Sequence, residues 1–139
     1  QARSAPAKVG DRILSTIDAQ IGQGYWSWSE RVPGGVQLLT DPAISPVEEI
    51  KSPAGDALAD WVANDVFIAG DASEAVIRCH AAFAHSGSDS TARPRPSQCA
   101  LHYIDNPAPG RLITAQALEP RYVQQNIGWK KLSEQGNVD

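Results

Sequence analysis

Apolar positions early in the chain recur at helical spacing. Val9, Ile13, Leu14, Ile17 and Ile21 make one stripe, with Lys8, Asp11, Arg12, Ser15 and Asp18 on the polar side. This predicts an amphipathic N-terminal helix that ends at Gly22 and Gly24. The pattern then changes to alternation. Tyr25-Trp-Ser-Trp-Ser-Glu30 reads as a strand with Trp26 and Trp28 on one side, Pro33-Gly34-Gly35 as a turn, and Val36 to Leu39 as the returning strand. Asp41 to Pro46, with two prolines, reads as a loop.

Ser52-Pro53 has the chemistry of a helix start, because serine caps free amides and proline tolerates the first turn. Ala54, Ala57, Leu58, Trp61 and Val62 supply its apolar face, Asp56 and Asp60 point outward, and Asn64 ends it. Val66 to Ala69 is a short strand, followed by a Gly70-Asp71 turn. Three apolar runs come next, at 74–85, 98–104 and 111–118, and are read as an antiparallel meander. Beyond Pro120 the pattern fits either a helix over 121–134 or a short strand at 122–124 with an irregular tail.

The expected fold is therefore α+β: an N-terminal amphipathic helix and a second helix packed on an antiparallel sheet, with a disulfide-pinned meander. Placing Cys79 opposite Cys99 sets Ile77 against Leu101 and Ala75 against Tyr103, and leaves 86–92 as a Ser/Gly/Asp-rich loop. Closing that loop stabilises the fold by about 3 kcal/mol on the chain-entropy account. A disulfide implies an oxidising compartment, so a periplasmic or extracellular location is expected.

Length and composition fit one domain, taken as 8–139 behind a disordered or truncated lead at 1–7. The net charge of −4 is uneven. Residues 1–69 carry nine acids and five bases, and 70–139 carry seven of each, with no basic stripe to suit a nucleic acid. The chain starts at Gln1 and contains no Met, which fits a processed chain or one whose N-terminal segment has been removed; a membrane anchor is expected only through a segment upstream of Gln1.

Candidate chemistry is sparse. In the Cys79–Cys99 register, His80 and His102 lie roughly 13–14 Å apart along the strands, too far to share a metal. His85 lies beside Ser86, Ser88 and Asp89, a hydroxyl–imidazole–carboxylate set on one loop. Glu48-Glu49 and Asp56/Asp60 are paired acids, a pattern that serves glycoside cleavage only across a cleft and otherwise makes a wet surface. Gly22/Gly24 and Gly34/Gly35 lack the rest of a phosphate-binding loop. No metal or cofactor is expected.

Trp26 and Trp28 are candidate binding residues if they face outward, and core residues if they face inward. Arg93 and Arg95, on a proline-stiffened loop, are candidates for contact with an acidic partner protein. These features favour an exported, non-catalytic interaction domain, such as an envelope assembly factor or an inhibitor of a secreted enzyme. A second expectation is a fibre subunit. A helix leading into a disulfide-bearing antiparallel sheet resembles the soluble part of a pilin or pseudopilin, which implies a hydrophobic helix before Gln1. A third is a small hydrolase using His85 or an acidic pair.

Overall fold

In a computed structural model the described residues are 7–61 and 65–97, with isolated positions at 100, 104, 117 and 123. They form a six-stranded mixed sheet and one short α-helix. The strands are β1 (Arg12–Asp18), β2 (Gln23–Val32), β3 (Gly35–Leu38), β4 (Ala43–Pro46), β5 (Val66–Ala69) and β6 (Gly87–Asp89), and α1 is Ser73–Cys79. The order across the sheet is β3-β2-β1-β5-β6. β2 runs antiparallel to β1, and on its other side pairs with β4 along its first half and β3 along its last. β1, β5 and β6 are parallel to one another.

The expected N-terminal helix is a strand. β1 sits between β2 and β5 and is buried on both faces, so its apolar residues do not alternate: Ile13 and Leu14 are adjacent and both fully buried. A strand buried on both sides leaves a run that helical spacing fits equally well. The β-branched Ile13, Thr16 and Ile17 suit the strand.

The Trp hairpin forms as the alternation predicts, with Ser29 to Val32 of β2 paired to Gly35 to Leu38. The two-proline segment is not a loop but β4, whose Pro46 sits at the strand's end. The second predicted helix is also absent. Ser52 Oγ accepts from the amides of Ala54 and Asp56, 3.2 and 3.1 Å away, but closes a turn instead of capping a helix. Gly55, at φ +93°, then reverses the chain, and only a 3₁₀ turn at Leu58–Asp60 follows.

The meander is corrected too. Residues 73–79 are helical: Ser73, Val76 and the half-buried Ile77 turn inward at spacings of three and four, and Glu74 and Arg78 stay exposed. Glu74 in the first turn and Arg78 in the last oppose the helix dipole's partial charges. With β5 before it and β6 after it, α1 makes a parallel crossover, the element that parallel strands require. Cys79 is a free, exposed thiol near the end of α1, and no disulfide pins the sheet; Cys99 lies outside the described residues. The predicted runs at 98–104 and 111–118 and the segment beyond Pro120 also lie outside them, apart from the isolated positions named above.

One face of the sheet carries Leu14, Trp28, Val66 and Ile68, packed against Val47, Ile50, Leu58, Val76 and Phe83. Trp28 stands edge-on to Trp61 and Phe83, with ring centroids 5.1 and 6.3 Å away. Ile13, Phe67 and Ala69 line the other face with Ala92.

Candidate functional site

Parallel strands end together, and in open sheets with helices on the strands' crossovers ligands bind beyond their carboxyl ends. Here β1 ends at Asp18, β5 at Ala69 and β6 at Asp89. Three loops meet at this edge: the β1–β2 hairpin tip, the Gly70-Asp71 turn and residues 90–93.

Carboxylates hold these loops in place. Asp71 Oδ1 accepts the Asp18 amide at 2.8 Å, tying the start of the α1 connection to the end of β1. Asp18 Oδ1 accepts the Gln20 amide, also at 2.8 Å, and shapes the hairpin tip. Asp89 Oδ1 accepts the Thr91 hydroxyl at 2.7 Å and the Thr91 amide at 2.9 Å. Those bonds, the hydroxyl's first, hold the Asp89 carboxyl below its usual range, and nearby Arg93 adds to the shift. Arg93 Nε is 4.0 Å from Asp71 Oδ2, a loose, solvent-exposed pair.

The hairpin tip is strained. The Gln23 amide donates to Gln20 O at 3.0 Å, closing a four-residue turn whose central residues Ile21 and Gly22 have φ of +53° and +74°. Positive φ at both centres is the type I′ pattern, which suits the twist of a hairpin and favours Asn-Gly. Gly22 meets that need at no cost, whereas a β-branched isoleucine in the left-handed region is a steric outlier. Gln20 is left-handed as well, at φ +69°. Ile21 is 100% exposed, so its side chain gains nothing from burial in return.

The candidates from sequence are scattered. Trp28 is 0% exposed and its Nε1 donates to Lys51 O at 2.8 Å, so it is a core residue. Trp26 is half-buried and donates to Ser45 Oγ at 3.0 Å; the two rings offer no shared outer platform. Arg93 folds back onto Ser90 O and Ala92 O at 2.8 and 3.0 Å, and Arg95 is exposed. His85 is exposed, with Nδ1 3.3 Å from Phe83 O, while Ser86 Oγ donates to Val66 O and Asp89 is engaged by Thr91. That hydroxyl–imidazole–carboxylate set is therefore not assembled. Asp18, Asp71 and Ile21 were missed as a group. The signal available was an Ile-Gly pair where a hairpin favours Asn-Gly, and it points to a hairpin only once β1 is recognised as a strand.

No family model matches the chain, and no curated protein matches it. Solved structures do. One is a Pseudomonas aeruginosa protein described as uncharacterized with similarity to peptidase YEAZ, at TM-score 0.58 and 20% identity, covering 83% of this chain and 50% of that one. Another is YeaZ from Pseudomonas aeruginosa, at TM-score 0.46 and 23% identity, covering 68% of this chain and 42% of its own. The first likeness establishes a shared fold. The chain spans about half the length of either protein.

This fold displaces the exported interaction domain and the pilin-like subunit. The first rested on a bridge that is absent, and the second on an N-terminal helix where the chain forms β1. The oxidising compartment was inferred from the same bridge and loses that argument.

Proposed function

We propose that the chain is one lobe of a YeaZ-like protein, an enzyme-type architecture, and that it recognises its ligand at the carboxyl ends of β1, β5 and β6. The fold likeness over 83% of the chain supports the first part. The observation that carries the second is the hairpin tip: a fully exposed isoleucine held left-handed, anchored through Asp18 to Asp71. A strained backbone that gains no burial is the kind kept where a ligand is met.

The neighbour's description names a peptidase, so a peptide is the ligand class to test. Among the described residues, the one imidazole clear of the exposed loops is that of His80, whose Nε2 is held on Val47 O. The part proposed here for this lobe is binding.

The test is a titration of the isotope-labelled chain with a mixed tripeptide pool, followed residue by residue by nuclear magnetic resonance. Saturable shifts are expected at 19–23, 70–71 and 89–93. In Ile21→Asn the tip relaxes, the fold gains on the order of 1 kcal/mol, and the shifts weaken. Shifts elsewhere, or an Ile21→Asn chain that is neither more stable nor weaker in binding, would count against the site.

A further inference from the structure

We propose that the hollow beneath His80 is a binding site for a ligand bearing an amine or guanidinium on a short apolar stem. The cavity is about 390 Å³, within the range of small-molecule sites, and is lined by Glu48, Glu49, Ile50, Lys51, Ala57, Leu58 and His80. It is separate from the carboxyl-end site and does not depend on the YeaZ-like reading.

Its walls differ in kind. Ile50 and Leu58 are core residues, so the floor is apolar and fixed. Its geometry is held by backbone bonds, with the Ile50 amide 3.4 Å from Val47 O and Lys51 bridged to Ala57. Glu48 and Glu49 stand exposed at the rim, and among the described residues neither carboxylate has an ion-pair partner. Lys51 is the one cation in the lining, against two carboxylates.

His80 is a fixed part of the wall. Its Nε2 lies 2.9 Å from Val47 O. A carbonyl only accepts, so Nε2 carries the hydrogen, and in the neutral ring Nδ1 is left with a lone pair. Two unpaired carboxylates at the rim of an apolar floor suit a cationic head that needs acceptors and a stem that avoids water. An anion would meet two negative charges at the rim.

Agmatine, with a guanidinium and an ammonium on a four-carbon stem, is the probe, and glutarate is the anionic control. Each is titrated into the full chain and followed by nuclear magnetic resonance. Agmatine is expected to give saturable shifts at Glu48–Lys51, Ala57, Leu58 and His80, and glutarate none. Replacing both carboxylates (Glu48→Gln with Glu49→Gln) should raise the agmatine Kd by about tenfold or more, from the loss of charge-assisted bonds. Ala57→Phe, which fills the hollow from its exposed rim, should abolish saturation. Non-saturating or dispersed shifts, an unchanged Kd in the double variant, or equal binding of glutarate would overturn the proposal. Failure here leaves the tripeptide titration untouched, because that experiment reads different residues.

Discussion

Trp28→Ala is expected to destabilise the domain by about 3–5 kcal/mol, the largest effect of any single truncation considered. Trp28 is 0% exposed and stands against a stacked pair of rings, edge-on to Trp61 with an interplanar angle of 78° and to Phe83 at 87°. Edge-to-face pairs add about 0.5–1.5 kcal/mol beyond the area they bury. The indole N–H also satisfies Lys51 O, so truncation leaves that carbonyl without its partner as well as a cavity. Denaturant midpoints at constant slope measure the loss. Trp26→Ala serves as the contrast. That ring is half-buried and should cost clearly less; equal costs would mean that both rings lie in the core.

Val76→Asp is the second large effect, and it separates a helix from a strand at 73–79. In α1, Val76 is fully buried in the core cluster that also holds Leu14 and Ile68, so an aspartate there is an unpaired charge in the core. The expected loss is about 4 kcal/mol or more, enough to prevent folding of a marginal domain. In the antiparallel meander, Val76 would share a face with Arg78 and His80, and the same substitution would be mild. Glu74→Ala, on the exposed side of α1, should stay within about 0.5 kcal/mol and shows whether the segment tolerates change in general.

Short-range chemistry was legible from residues alone; sheet position was not. The hairpin from Tyr25 to Leu38 shows because one face of it is polar enough to alternate, and Pro33-Gly34 marks its turn. Strand β5 shows for another reason: Val66 to Ala69 is a four-residue apolar run, too short for a helix and closed by the Gly70-Asp71 turn. β1 does not, because a central strand with Ile13 and Leu14 buried on opposite faces has no dry side and wet side to report.

The error at 74–79 has a different source. Ala-Val-Ile is as good a strand as a helix in isolation, and a supposed cystine tipped the choice. Ser52 shows the limit of capping logic: its hydroxyl takes two amides as a cap would, but Gly55 ends the turn before a helix can propagate. The carboxyl-end site could not be found from spacing, because Asp18 and Asp71 are brought together only by the parallel pairing of β1 with β5.

That pairing is the central claim, and through-space proton contacts along β1 test it most directly. A parallel ladder should give cross-strand contacts that climb together, Arg12 with Val66, Ile13 with Phe67, Leu14 with Ile68 and Ser15 with Ala69. Contacts three residues apart within 9–21, the signature of a helix, together with none to 66–69, would contradict it.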